Sequence, residues 1–192
     1  MTYAEILRPA VGHKARIFDI ACVAGGSAII ALSALISIRL PFSPVPVTAQ
    51  TMAVLLMGAL LGRNRGIASL LMYYAQGIAG LPVFAGGMAG AVYFFGPTGG
   101  YLMGFLPAVM ITGYLAERGW DRNLGTAFLS MLAGNIAIYA VGLPWLATYV
   151  GADRVLALGL APFLPGDIIK LVLATSILPA GWKGLHALKK IE

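Results

Sequence analysis

Two ionisable residues stand three apart in an apolar run, Asp167-Ile-Ile-Lys170. On a helix that spacing places them on one face. Ionisable groups inside an apolar span are costly, and they mark a ligand site, a charge pair or a pathway. A carboxylate accepts hydrogen bonds from N–H groups, and an ammonium donates to a carbonyl or carboxylate. The pair therefore suits a small ligand that carries donors and acceptors together. The same two residues also fit a carboxylate capping a helix dipole beside a lysine that snorkels to the interface. Thr48, Gln50, Tyr93, Thr98, Tyr101 and Asn135 are neutral polar candidates for the same site, with Tyr73, Tyr74 and Gln76 nearby in the pattern. Buried amides and hydroxyls serve equally as contacts between membrane helices. Aromatic residues near helix ends, Trp145 and Trp182 above all, also fit an interfacial belt.

Other chemistry lacks its parts. There is no G-x-x-x-x-G-K-[ST] phosphate loop and no H-E-x-x-H, and the only histidines are His13 and His186. The expectation is no catalytic residue, no metal ligand set, no cofactor and no ATP hydrolysis by this chain. Cys22 is the single cysteine, which excludes an internal disulfide.

The elements that must position these residues are membrane helices. The chain is 59% hydrophobic and only 10% charged, with a mean hydropathy of +0.87. Soluble domains carry roughly a quarter charged residues. Residues Met1 to Arg16 include Glu5, Arg8, Pro9, His13 and Lys14, which is unlike a secretory signal. Six apolar segments predict an all-α integral membrane protein, a single domain over 1–192 forming a six-transmembrane-helix bundle. The expected helices are 17–38, 47–61, 67–81, 101–115, 124–143 and 167–185. Two long connections separate them, 82–100 and 144–165, the first rich in glycine and the second holding a short apolar stretch, Val155 to Leu160.

Charge orients the bundle. With the N-terminus inside, inner segments hold Arg8, Lys14, Arg16, Arg63, Arg65, Arg118, Arg122, Lys183, Lys189 and Lys190, whereas outer segments hold only Arg39 and Arg154. This bias predicts both termini in the cytoplasm. It also makes the net charge of +6 a topology signal rather than a nucleic-acid footprint. The second, fourth and sixth helices then start on the outer side, after Pro41–Pro46, Gly96–Gly100 and Pro162–Gly166. Their N-terminal N–H groups would favour an acceptor-rich or anionic ligand, although proline also simply starts helices well. On the first helix, Ala21, Gly25 and Ala28 make a narrow stripe, with Ala24, Ala28 and Ala31 beside it. Such a face accepts another helix, from this bundle or from a membrane partner.

Four stretches resemble the BioY family, the biotin-binding membrane subunit (S component) of energy-coupling-factor vitamin importers. They are Val45-Pro-Val-Thr-Ala-Gln50, Gly80-Leu-Pro-Val-Phe-Ala85, Gly96-Pro-Thr-Gly-Gly-Tyr-Leu102 and Pro162-Phe-Leu-Pro-Gly-Asp-Ile-Ile-Lys170, in family order across about 45–170. The resemblance implies a six-helix fold and high-affinity biotin capture for uptake across the cell inner (plasma) membrane. It implies binding from the outer side, under the first connection and the Gly-rich one. Asp167 and Lys170 match the family's biotin-contacting pair, and the motifs add Phe84 to the substrate-binding candidates. Ala24, Ala28 and Ala31 match the face that meets a transmembrane coupling subunit, itself driven by two cytosolic ABC ATPases. The remaining expected contacts are membrane lipid and no nucleic acid. Some relatives place an arginine near the ligand in mid-chain; none occurs here between Gly66 and Glu117, which leaves the partner of the biotin carboxylate open. Competing readings are a related subunit for another vitamin, a membrane-embedded enzyme acting on a lipid or prenyl substrate, and a passive assembly subunit.

Overall fold

A computed structural model describes residues 1–189, with side chains through 185. The expectations for Lys190 and for the Lys189 side chain fall outside the described residues. In chain order the elements are α1 (Tyr3–Leu7), α2 (His13–Leu35), β1 (Ser37–Ile38), β2 (Val47–Thr48), α3 (Gln50–Leu61) and α4 (Arg63–Ile78). A 3₁₀ turn at Ala85–Gly87 follows, then α5 (Ala91–Phe94), α6 (Gly99–Glu117), α7 (Leu124–Val150), α8 (Val155–Gly159) and α9 (Leu164–Lys189). Among the described residues the architecture is helical apart from one antiparallel ladder, Ser37↔Thr48 and Ile38↔Val47, and a single bridge between Phe84 and Met88.

Helices α2, α6, α7 and α9 are long and apolar enough to cross a membrane. Helix α3 has 12 residues and α4 has 16. Twelve residues rise about 18 Å, short of a hydrocarbon core of about 30 Å. One helix runs past a proline that the expected boundaries left in a connection. Helix α7 runs through Pro144 to Val150 instead of ending at Leu143, so the connection to α9 starts at Gly151. Pro107 and Pro179 likewise lie inside α6 and α9. A proline removes a single N–H, and in a membrane bundle neighbouring groups tolerate that loss.

Helix α6 is the centre of the bundle, packed by α3, α4 and α7. Glycine makes the α6–α7 approach possible. A Cβ on Gly104 would lie 2.7 Å from the Ile138 carbonyl oxygen, and one on Gly100 would lie 2.2 Å from Trp145 Cβ. Helix α2 lies at the edge. Its Gly26, Ser27 and Ile30 face inward, while Ala21, Gly25 and Ala28 are exposed and Ala24 and Ala31 are half-buried. A Cβ on Gly25 would meet nothing within 4 Å, so this part of the small-residue stripe packs against no other helix of the bundle.

The two ends of the bundle differ. At the end holding the N-terminus, the Met1 ammonium donates to the Glu117 carbonyl at 2.9 Å, and Glu117 Oε1 accepts from the Arg63 backbone at 2.8 Å. Asp19 pairs there with Arg8 at 2.8 Å and Arg65 at 2.7 Å. The opposite end carries the β1–β2 hairpin, the Gly-rich connection and α8.

Candidate functional site

Asp167 lies in the first turn of α9 and is 4% exposed. Its Oδ1 accepts from Lys170 Nζ at 3.1 Å. Its Oδ2 accepts from the Tyr139 hydroxyl and from Asn135 Nδ2, the latter at 3.4 Å. Lys170 Nζ also donates to Thr51 Oγ1 at 3.1 Å. The interpretation of Asp167 as an isolated cap beside a snorkelling lysine does not fit this geometry, because both charges are drawn inward to α3 and α7. Burying the pair is tolerable because each ion is matched and further hydrogen-bonded.

A carboxylate has about four acceptor positions and an ammonium has three donors. The protein uses three positions on Asp167 and two donors on Lys170. What remains is one acceptor beside one donor. That pattern complements a ligand presenting an N–H next to a carbonyl.

Both side chains open into a partly open cavity whose empty space, the open solvent at its mouth included, is about 530 Å³. Val45, Pro46, Thr48, Gln50 and Thr51 line one wall, and Phe105, Ile138, Tyr139 and Phe163 line another. Ala85, Tyr93, Thr98, Tyr101 and Leu102 complete it. Thus Thr48, Gln50, Tyr93, Thr98, Tyr101, Asp167 and Lys170 come together as the sequence suggested. Phe84 and Asn135 do not reach the cavity wall. Phe84 is fully buried and stacks behind Tyr93, ring centres 5.4 Å apart. Asn135 sits behind Asp167, where its amide supports the carboxylate. Both are one layer back because the aromatic ring and the carboxylate in front of them fill the space.

Each wall is held from outside. Thr48 Oγ1 accepts from the Gln50 backbone at 3.3 Å, and Gln50 Nε2 donates to the buried Tyr73 hydroxyl at 2.7 Å. The Tyr101 hydroxyl donates to the Gly159 carbonyl at 2.8 Å, fastening α6 to α8. The Ser43 hydroxyl donates to the Leu158 carbonyl at 2.8 Å, which ties the hairpin tip to α8 as well. Trp145 Nε1 donates to the Gly96 carbonyl at 2.9 Å and holds the end of the Gly-rich connection against α7. Within that connection, burial pushes the Tyr93 phenol above its ordinary pKa, opposed by a hydrogen bond with Thr98 and by the Arg39 charge.

Tyr139 and Thr51 escaped the sequence reading. Tyr139 follows Asn135 by four residues on the same helix, so helical spacing from Asn135 would have found it. Thr51 adjoins Gln50 and carries no signal of its own. Among the described residues no group of three or more metal-ligating side chains occurs.

The family described as the BioY family matches residues 9–187. A protein of Rhizobium etli named biotin transporter BioY is 38% identical over 154 residues, covering 76% of this chain and 82% of that protein. A probable biotin transporter BioY of Pyrococcus horikoshii is 38% identical over 159 residues, covering 83% and 93%. Among solved structures, the S-component for biotin from an ECF-type ABC transporter superposes with a TM-score of 0.80 at 29% identity, covering 91% of this chain and 95% of that one.

Proposed function

Because the chain belongs to the BioY family, we propose that it captures biotin and serves as the substrate-specific subunit of an energy-coupling-factor importer. It is a transport protein and not an enzyme, as its relatives and its solved neighbour are. The observation that carries the biotin reading is the buried Asp167–Lys170 pair with one acceptor and one donor left facing the cavity. Biotin's ureido ring presents N–H donors around a carbonyl, which matches that remainder. Its thioether ring and aliphatic chain are apolar and suit Tyr101, Phe105, Ile138 and Phe163. A buried site built to receive N–H donors rejects analogues that lack them, since its own polar groups would stay unpaired.

The wider assignment has six spans with both termini in the cytoplasm and the cavity mouth outward. It is supported by the positive charges gathered at the N-terminal end, and it counts the two shorter helices, α3 and α4, as spans beside the four long ones. In this reading the chain resides in the inner (plasma) membrane. The exposed Ala21–Gly25–Ala28 stripe, with Ala24 and Ala31 at its side, meets a transmembrane coupling subunit. Two cytosolic ABC ATPases supply the energy.

Calorimetry on the detergent-purified chain tests the reading, with biotin, desthiobiotin and thiamine as titrants. Saturable biotin binding that collapses in Lys170→Ala, with no heat from thiamine, is expected. A folded sample that binds thiamine instead, or binds nothing, overturns it.

A further inference from the structure

A second, more open pocket adjoins the Asp167 cavity, lined by Arg39, Leu40, Ser43, Pro44 and Met88 beside the shared residues. The two share Pro46, Ala85 and Tyr93 on their walls. Arg39 lines only the second pocket. We propose that Arg39 receives the carboxylate of the ligand's tail at the cavity mouth, while Asp167 and Lys170 hold its ring. The assignment rests on the biotin reading and extends it to the anionic end of the molecule.

Three observations support it. The first is position. The ladder pairs Ser37 with Thr48 and Ile38 with Val47, so the next residue, Arg39, falls level with Pro46, which lines both pockets. The second is availability. The ion pairs among the described residues involve Met1, Arg8, Arg65 and Lys170 but not Arg39. Arg154, the other outer cation, already donates to the Val150 carbonyl at 3.1 Å. The third is local fit. The Arg39 guanidinium lies over the 3₁₀ turn, where a Cβ on Gly86 would come within 3.2 Å of Arg39 Nη2 and 3.4 Å of Ser37 Oγ. Gly86 has φ +68°, so that position both needs glycine and leaves the guanidinium its place. A guanidinium presents a planar fork of donors suited to a carboxylate.

The test pairs two ligands with three variants. Titrate biotin and biotinamide, whose tail is neutral, into the wild-type chain, Arg39→Gln and Arg39→Lys. A charge-assisted contact at an exposed mouth corresponds to about a tenfold change in Kd. Wild type is expected to prefer biotin over biotinamide by about that factor. Arg39→Gln should lose the preference through biotin alone, and Arg39→Lys should recover part of it. Gly86→Ala, which crowds the guanidinium, should lose the same preference with Arg39 still present. Equal biotin affinity in wild type and Arg39→Gln overturns the assignment, and points to a lipid phosphate or solvent as the partner of Arg39. An equal loss for both ligands also overturns it, as the signature of a scaffolding role. Failure of the wild-type chain to bind either ligand removes the biotin reading itself, and this assignment with it.

Discussion

Tyr139 and Asn135 donate to one oxygen of Asp167 while Lys170 donates to the other. An amide in place of the carboxylate keeps the shape but accepts on one atom only, and it leaves Lys170 as an unmatched cation. Hydrogen bonds to charged groups are worth about 1.5–3 kcal/mol. Asp167→Asn is therefore expected to weaken biotin binding roughly ten- to a hundredfold, read by calorimetry, with circular dichroism confirming that the helices remain. Undiminished affinity in a folded sample would remove Asp167 from the site. At this scale the sequence was most informative where a residue type was rare. Asp167 and Lys170 stand out because charge inside an apolar run has few structural explanations. Tyr139 did not, because a tyrosine in an apolar helix reads equally as wall, glue or belt. Phe84 was misplaced by one layer for a related reason: motif position identifies the segment, but which ring of Phe84 and Tyr93 faces inward depends on how the loop folds back.

The cover over the cavity depends on that fold-back. Phe84 pairs with Met88 across the 3₁₀ turn, and the Gly90 N–H donates to the Gly77 carbonyl at 2.8 Å. Gly77 sits in α4 directly beneath the Phe84 ring, where a Cβ would lie 2.1 Å from Phe84 Cζ. A side chain there forces Phe84 outward and carries Tyr93 with it. Overpacking of this kind typically costs 1–3 kcal/mol. Gly77→Val should lower the melting temperature of the purified chain and weaken biotin binding about tenfold, whereas added biotin restores part of the lost stability by mass action. Unchanged binding would show that the cover tolerates displacement of Tyr93. Hydropathy found the segments that become helices, since burial in lipid demands long apolar runs. It missed the continuation of α7 past Pro144 and the ordered turn and α5 within the Gly-rich connection. Those features come from tertiary hydrogen bonds, such as Trp145 to Gly96 and Tyr149 to Phe95, that no local pattern records.

For the whole molecule, the decisive asymmetry lies between its two ends. One end gathers Met1, Glu117, Arg63, Asp19, Arg8 and Arg65 into hydrogen bonds and ion pairs, and Arg122 lies over the Trp182 ring at 4.8 Å. The other end carries the hairpin, the Gly-rich connection, α8 and the mouth of the cavity. Positive charge is retained on the cytoplasmic side during insertion, so the mouth should face outward. Cys22 is the only native cysteine, and Cys22→Ala gives a clean background for placing single cysteines. In that background Asp153→Cys, just beyond the end of α7, should react with a membrane-impermeant maleimide on intact cells. Arg122→Cys should react only after the membrane is opened. The reverse pattern would turn the cavity toward the cytoplasm, and a capture subunit facing that way has no external biotin to bind.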